Sequence, residues 1–301
     1  MAAFEIGVLV HLKNNNDLFV PMIKMGMKTC QLCCWDMSLY TEEMAQKIRT
    51  QSEKNNINIT AVWAGWTGSC VWDFMQGPKT LGIVPAELRD MRIAQLKQGA
   101  DFAKIIGVRA IITHLGFIPE NPTDHLYLEV VEKVREVAQY CSNLGLEFWF
   151  ESGQETPVTL RRLIEDVKMP NLGINFDTAN VVLYGKGNPL DSAEIFGKYI
   201  KNLHAKDGLY PTNPQKLGME VPIGQGKADF QAIFRTLKEN NFTGEIIIER
   251  EISGPQQIED IQQSYTYLTQ CLKAMHLPVA RLKTLSCGNQ NKKLEESLGH
   301  V

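Results

Sequence analysis

The 301-residue sequence has no apolar run that approaches the ~20 consecutive positions needed by a membrane-spanning helix. Residues Met1 to Ile6 contain no basic segment followed by a long apolar stretch, so a secretory signal peptide is not expected. The net charge is only −3, which gives no electrostatic basis for binding nucleic acid or an anionic membrane surface. We therefore expect a cytoplasmic protein with neither a nucleic-acid partner nor a membrane partner.

The seven cysteines form no matched disulfide or zinc pattern. Cys30 and Cys33 make one CxxC pair inside an apolar run, and no second pair accompanies it. A zinc or redox role for this pair is the alternative to the simpler interpretation, in which a free cysteine is a small core residue. An odd number of unmatched cysteines is typical of a reduced, intracellular protein. At 44% hydrophobic and 22% charged residues, a chain of this length can bury a large core without disulfides.

Short apolar runs alternate with longer amphipathic segments along most of the chain. The runs are nearly continuous in Ile, Val, Leu, Phe and Cys, as in parallel strands that are covered on both faces. Eight strands are predicted, over Phe4–Val10, Thr29–Trp35, Ile57–Ala64, Val108–His114, Leu146–Glu151, Leu172–Asp177, Ile200–His204 and Glu245–Glu249. Eight helices are predicted, over Asp17–Met27, Leu39–Asn55, Pro85–Ile106, Pro122–Leu144, Pro157–Val167, Leu190–Phe196, Asp229–Asn240 and Gln257–Met275.

This alternation predicts an α/β fold of the (β/α)8 TIM-barrel type. A doubly wound sheet would also alternate, but the count of eight and a length near about 250 residues favour the barrel. We expect residues 1–277 to form a single TIM-barrel domain. Residues 278–301 are polar and are predicted to form an appended C-terminal tail.

Four consecutive predicted strands end in an acid or an imidazole, namely Glu151, Asp177, His204 and Glu249. Active sites of TIM barrels lie at the C-terminal ends of the strands, so these four side chains would converge. One such residue alone is more often a helix cap or a hydrogen-bonded core histidine, and the argument rests on the coincidence of four. Charged groups at the ends of buried strands are costly unless they are paired or bind a metal. The pattern therefore predicts a divalent metal site.

Three carboxylates and one imidazole favour an ion that prefers oxygen ligands. We expect Mn²⁺, with Mg²⁺, Co²⁺ or Zn²⁺ as alternatives. Four protein ligands would leave two octahedral positions for the carbonyl and neighbouring hydroxyl of a sugar. The expected chemistry is proton abstraction next to a carbonyl through a metal-stabilised enediolate.

The segment from Glu147 to Gly254 resembles the xylose-isomerase-like TIM-barrel superfamily of sugar phosphate isomerases and epimerases. Five stretches in the same order carry the resemblance, Phe150–Glu155, Asn175–Asn180, Leu203–Asp207, Pro222–Gly226 and Ile248–Ile252. The nearest branch is that of the ketose 3-epimerases acting on tagatose and psicose, followed by inosose isomerases and dehydratases. The resemblance implies an isomerase or epimerase of a small sugar or sugar derivative, assembled as a homodimer or homotetramer.

In the epimerase branch, the glutamates that end strands five and eight are both metal ligands and acid–base groups. The resemblance therefore implies that Glu151 and Glu249 exchange the proton from opposite faces of the substrate, whereas Asp177 and His204 are ligands only. A metal-dependent dehydratase or lyase of a keto-sugar or inosose is the alternative, because loss of a β-hydroxyl can follow the same first step. An endonuclease of the multi-histidine, trinuclear-zinc type is disfavoured by the six histidines and the charge of −3.

The expected substrate contacts include two departures from the 3-epimerases. Asn180 stands where that branch has a histidine, and Lys206 lies near the position of its arginine. Lys206 could instead pair with Asp207 or a nearby acid, and the tryptophans of the Trp63–Trp72 loop could simply cover the barrel end. No P-loop-type phosphate cradle is present, so phosphorylation of the substrate stays open. The expected substrate-binding residues are Trp66, His114, Glu155, Asn180 and Lys206.

Overall fold

The computed structural model describes residues 4–13 and 18–280. Strands and helices alternate through these residues. The strands are β1 (Ile6–His11), β2 (Thr29–Cys34), β3 (Asn58–Ala64), β4 (Ala110–Thr113), β5 (Glu147–Glu151), β6 (Leu172–Asp177), β7 (Ile200–Ala205), β8 (Asp207–Leu209), β9 (Met219–Val221) and β10 (Ile246–Ile248). The α-helices are α1 (Val20–Lys24), α2 (Glu42–Asn55), α3 (Gly77–Thr80), α4 (Ala86–Ile106), α5 (His125–Asn143), α6 (Pro157–Val167), α7 (Asn180–Leu183), α8 (Pro189–Phe196), α9 (Phe230–Glu239) and α10 (Pro255–Ala274).

Eight parallel strands close into a barrel in the order β1-β10-β7-β6-β5-β4-β3-β2. The first and last barrel strands complete the closure, with Ile6 beside Ile246 and Val8 beside Ile248. Each of the eight predicted strands overlaps one of these barrel strands. The predicted (β/α)8 TIM barrel is confirmed.

The apolar strands are covered on both faces because successive side chains point to opposite sides of the sheet. Trp63 and Trp149 pack inside the barrel with small neighbours such as Ala61. The residues next to them in the chain, Val62 and Phe148, pack in the larger cluster between the barrel and the helices. Both layers are buried, which explains the absence of a simple apolar–polar alternation in the sequence.

The first helix is shorter than predicted. The expected range was Asp17–Met27, and α1 covers only Val20–Lys24, with Pro21 in its first turn. Gly26 follows with φ of 81°, a left-handed conformation that does not continue a helix. Asp17 lies outside the described residues.

The segment after β7 contains an antiparallel hairpin of β8 and β9. The Asp207 carboxylate accepts backbone N–H bonds from Gly208, Gly224, Gly226 and Ala228, at 2.9, 2.9, 2.9 and 3.0 Å. A Cβ atom on Gly226 would lie 2.1 Å from Asp207 Oδ1, so this close approach requires glycine. One buried carboxylate therefore anchors both ends of the segment.

The two ends of the described region pair with each other. Phe4 N–H donates to Pro278 O at 2.8 Å, and Ala280 N–H donates to Phe4 O at 3.0 Å. Residues 281–301 of the predicted polar tail lie outside the described residues, and the domain boundary at residue 277 stays a prediction. Cys30 and Cys33 are free and buried. Among the helices of residues 4–13 and 18–280, none is long and apolar enough to cross a membrane.

Candidate active site

Four side chains from four neighbouring strands meet at the C-terminal end of the barrel. Glu151 ends β5, Asp177 ends β6, His204 lies in β7 and Glu249 directly follows β10. All four are buried, and one ligand atom from each lies within 4.8 Å of the others. The structure thus brings together the four strand-end residues that the sequence singled out.

The imidazole of His204 is oriented by a residue inside the barrel. Its Nε2 atom lies 2.7 Å from Gln31 Oε1, which can only accept a hydrogen bond, so Nε2 carries the proton. Its Nδ1 atom then faces Glu249 Oε2 at 2.8 Å and Glu151 Oε1 at 3.1 Å. Burial alone would lower the pKa of His204, but the two carboxylates raise it well above its usual value. Gln31 thus fixes which nitrogen faces the cluster.

Asp177 divides its two oxygens between the backbone and the cluster. Oδ1 accepts the N–H groups of Ala179 and Asn180 at 2.7 and 2.8 Å. Oδ2 is buried and has no hydrogen-bond partner within residues 4–13 and 18–280. Burial raises the pKa of Asp177 well above its usual value, and a bound cation would reverse this shift. Three carboxylates and an imidazole around an unpartnered oxygen fit a divalent ion of the Mn²⁺ or Mg²⁺ type.

Lys206 supplies positive charge beside the cluster. Its Nζ lies 2.7 Å from Glu251 Oε1 and 3.8 Å from oxygens of both Asp177 and Glu249. Burial would lower the pKa of Lys206, but Glu249 and Glu251 raise it, so it stays charged. The alternative in which Lys206 pairs with Asp207 or a nearby acid is confirmed for a nearby acid, Glu251, whereas the Asp207 carboxylate accepts the four N–H groups described above.

For each of the two glutamates, burial raises the pKa and nearby positive charge lowers it. Burial would raise the pKa of Glu249, but Lys206 and His204 lower it below its usual value. For Glu151, burial is likewise outweighed by His204 and His114, so its pKa is lowered. The Trp63 indole also donates to Glu151 Oε2. Both glutamates are therefore ionised and able to accept a proton.

A cavity of about 250 Å³ opens next to the cluster. Glu151 and Glu249 line it, whereas Asp177 and His204 are not among its lining residues. The volume lies just below the range of about 300–1,000 Å³ that is usual for drug-sized ligands. The cavity therefore suits a small molecule that contacts both glutamates.

The predicted substrate contacts divide into two groups. His114 and Asn180 line the cavity. Trp66, Glu155 and Lys206 are not among the lining residues, although Lys206 touches the carboxylate cluster. Glu155 is buried, with Oε1 accepting the Gly153 N–H at 3.3 Å, and burial raises its pKa to about 8.

The tryptophans at the barrel end differ in whether they line the cavity. Trp66 donates to Thr113 Oγ1 at 3.0 Å, and its ring centroid lies 4.1 Å from the Arg92 guanidinium carbon, so it covers the barrel end. Trp63 and Trp72 line the cavity instead, together with Trp35, which the sequence interpretation missed. The Trp35 and Trp63 ring centroids are 4.8 Å apart. Trp35 closes the predicted second strand, and that position was the available signal.

Residues 22–271 match the family model described as "Xylose isomerase-like TIM barrel". Among solved structures, the chain is 33% identical to a xylose isomerase domain protein from Planctomyces limnophilus. That match covers 91% of this chain and 99% of the other, with a TM-score of 0.85. A D-tagatose 3-epimerase-like protein is 18% identical, covers 90% of this chain and 98% of its own, and has a TM-score of 0.71. This second likeness is one of fold alone.

Among curated proteins, the inosose dehydratase of Geobacillus kaustophilus (strain HTA426) is 29% identical over 162 residues. The aligned part covers 48% of this chain and 50% of the dehydratase. The chain thus spans about half to two thirds of the length of the first curated relatives that it matches.

Proposed function

Because the chain belongs to the xylose isomerase-like TIM barrel family, we propose that it is a metal-dependent isomerase or epimerase of a small sugar or sugar derivative. One observation carries this proposal: of the four clustered groups, only the two glutamates line the cavity. Acid–base groups must reach the substrate, whereas residues that serve only as ligands need not. The expected assembly into a homodimer or homotetramer and the cytoplasmic location stay predictions.

Glu151, Asp177, His204 and Glu249 would hold one divalent ion, with Mn²⁺ as the expected metal. When bound, the ion would polarise the substrate carbonyl and stabilise negative charge on its oxygen. The unpartnered Asp177 Oδ2 and the Gln31-fixed His204 Nδ1 support this assignment. The three carboxylates face only one permanent cation, Lys206, within the described part of the site.

The two glutamates are assigned the removal and return of the proton next to the carbonyl. Glu151 belongs to β5 and Glu249 follows β10, and β6 and β7 separate these strands in the barrel. The two carboxylates therefore approach the cavity from different sides. Lys206 keeps Glu249 ionised, and the Trp63 indole holds Glu151 in place. The indoles of Trp35 and Trp72 line the same cavity.

A dehydratase or lyase acting on a keto-sugar or inosose is the second candidate. The sequence similarity to an inosose dehydratase favours it. The first step, loss of the proton next to the carbonyl, would be the same, and loss of a β-hydroxyl as water would follow. Isomerisation or epimerisation leaves the product isomeric with the substrate, so product mass separates the two candidates.

The test is incorporation of solvent deuterium at carbon. The full chain with Mn²⁺ is incubated in deuterated water with ketoses, ketose phosphates and inososes, and products are followed by mass spectrometry and NMR. We expect exchange that Glu249→Gln reduces by at least ~100-fold. Glu245→Gln is the matched control, because Glu245 immediately precedes β10 at the far end of the barrel and pairs with Arg109. Absence of exchange with every substrate, or equal exchange in Glu249→Gln, contradicts the proposal.

A further inference from the structure

One side of the cavity carries buried polar groups that the fold does not use. Gln154 is 1% exposed, and neither its Oε1 nor its Nε2 has a hydrogen-bond partner in the described part of the chain. The Tyr184 hydroxyl lies beside the Gln154 side chain without forming a hydrogen bond of normal geometry, and Nδ1 of His114 also has no partner in the described part of the chain. All three residues line the cavity. Unpaired buried polar atoms are costly and rare, so their position against a cavity indicates a ligand with several hydrogen-bonding groups.

The ring of Tyr184 is held by packing rather than by its hydroxyl. Its centroid lies 5.7 Å from that of Phe117 and 6.2 Å from that of Phe74, both in edge-on arrangements. Removing the hydroxyl would therefore leave the packing of the ring intact. A role in the fold and a role in ligand binding predict different consequences for Tyr184→Phe.

Another part of the cavity is largely apolar and lies between the barrel and its helices, with Gln257 one turn from Ile261 on α10. Its lining includes Val8, Val10, Leu18, Met22, Met25 and Ile261, all of which are buried. Residues of β1 and α1 line this part of the cavity. Protein interiors are close-packed, so an unfilled apolar space is unfavourable. Methionine side chains adapt their shape to different apolar groups, which suits a binding site.

The barrel order sets these two sides apart. In the closed order, β5 stands four strands from β1, and β4 stands four strands from β10. His114 and Gln154 follow β4 and β5, whereas Val10 lies in β1 and Ile261 in the helix after β10. The polar groups and the apolar residues therefore come from opposite parts of the barrel circumference, with Val10 and Ile261 in the layer between the barrel and its helices. The two glutamates of the cluster line the same cavity.

We propose that the substrate is a sugar derivative carrying an apolar substituent, with its hydroxyls on Gln154 and Tyr184 and its apolar group beside Val10, Met22 and Ile261. This proposal rests on the proposed function for the sugar part and adds the class of substituent. A free sugar would leave the apolar side empty. An aryl or alkyl glycoside would fill both sides at once.

Calorimetric binding of matched glycosides tests the proposal. The probes are the methyl and phenyl β-glycosides of D-glucose, D-galactose and D-mannose, titrated into the full chain with Mn²⁺. For at least one sugar, we expect the phenyl glycoside to bind at least ~10-fold more tightly than the methyl glycoside, because it buries an aromatic ring. Val10→Phe and Ile261→Phe fill the apolar side from β1 and from α10, and each should bring this ratio close to one.

Tyr184→Phe should weaken both glycosides by a similar factor of ~5-fold or more and should not lower the melting temperature. The matched control is Tyr127→Phe, because the buried Tyr127 hydroxyl donates to Asp166 Oδ2 at 2.7 Å. That control should lower the melting temperature and leave binding unchanged. A Tyr184→Phe variant that loses stability while binding normally contradicts the polar assignment.

Equal binding of phenyl and methyl glycosides, a ratio that survives both filling variants, or no binding of any probe overturns the proposal. The calorimetric ratio does not require proton transfer, so it should persist in Glu249→Gln. A persistent ratio without deuterium exchange would refute the proposed reaction and leave the substrate assignment standing. Deuterium exchange without a preference for phenyl glycosides would refute the substrate assignment and leave the proposed reaction standing.

Discussion

The Lys206 Nζ lies 2.7 Å from Glu251 Oε1, although Lys206 is 1% exposed and the Glu251 side chain is 47% exposed. A partly exposed acid thus holds a fully buried ammonium beside the carboxylate cluster. The Glu220 carboxylate of β9 accepts the Glu251 N–H at 3.1 Å and pairs with Arg250 at 2.8 Å. The hairpin is thereby tied to the segment that carries Glu249.

Replacing Lys206 tests its electrostatic role. Lys206→Met removes the cation that lowers the pKa of Glu249, so that pKa rises and the glutamate is protonated at higher pH. We expect kcat/KM to fall by ~10-fold or more, and the acidic limb of the plot of kcat/KM against pH to move to higher pH. Lys201→Met is the control, because Lys201 is a half-exposed lysine of β7, the strand that Lys206 follows. An unchanged acidic limb in Lys206→Met would refute this role.

Glu155 predicts a pH dependence of stability. Burial raises its folded-state pKa to about 8 from an ordinary value of 4.5. Between these pH values, the folded chain keeps a proton that the unfolded chain has lost, so the free energy of unfolding falls as pH rises. Glu155→Gln should remove a few kcal/mol of this fall between pH 5 and pH 8 in urea titrations. Glu87 is exposed on α4, so Glu87→Gln should leave this fall unchanged. Parallel curves of unfolding free energy against pH for Glu155→Gln and the wild type would disprove the assignment.

The stability of the hairpin is expected to depend on the Asp207 carboxylate. Asp207→Ala removes the acceptor of four backbone N–H groups, and we expect a loss of about 3 kcal/mol or more in the free energy of unfolding. Amide hydrogen exchange at Gly224 and Gly226 should accelerate. The exposed Asp191→Ala should change stability by less than about 0.5 kcal/mol. Unchanged exchange at both glycines would show that other contacts hold the segment.

Two tryptophans of one loop are expected to differ in what their substitution changes. Trp66 donates to Thr113 and stacks on Arg92, so Trp66→Phe should cost about 1–3 kcal/mol of stability with little change in KM. Trp72 lines the cavity and is 39% exposed, so Trp72→Ala should raise KM several-fold with little change in stability. Steady-state kinetics and thermal unfolding check both variants. A raised KM with unchanged stability in Trp66→Phe would contradict this division and indicate that Trp66 contacts the substrate.

The barrel strands could be predicted because buried parallel strands are continuous apolar runs, and the site followed from the residues that end them. The hairpin could not, because β8 and β9 have three residues each and include Asp207, Gly208 and Glu220. Its cause is the Asp207 carboxylate, which joins residues far apart in the chain. No local pattern in the sequence reports such a contact.

The remaining site residues depend on side-chain direction, which spacing does not fix. Gln31 is a polar residue inside the largely apolar β2, and only the closed barrel places it against His204. Gln154 and Tyr184 lie in irregular or short segments, where no periodicity indicates which side faces the cavity. Their signal is the absence of a partner, and that can be seen only in three dimensions.

Metal binding by the purified full chain tests the central claim most directly. After chelation and dialysis, Mn²⁺ is titrated by calorimetry and the bound metal is counted by mass spectrometry, for the wild type and Asp177→Ala. We expect one Mn²⁺ per chain in the wild type and at least ~100-fold weaker binding in Asp177→Ala, with Asp191→Ala unchanged. A folded wild type that binds no Mn²⁺, Mg²⁺, Co²⁺ or Zn²⁺, or equal binding by Asp177→Ala, would contradict the account.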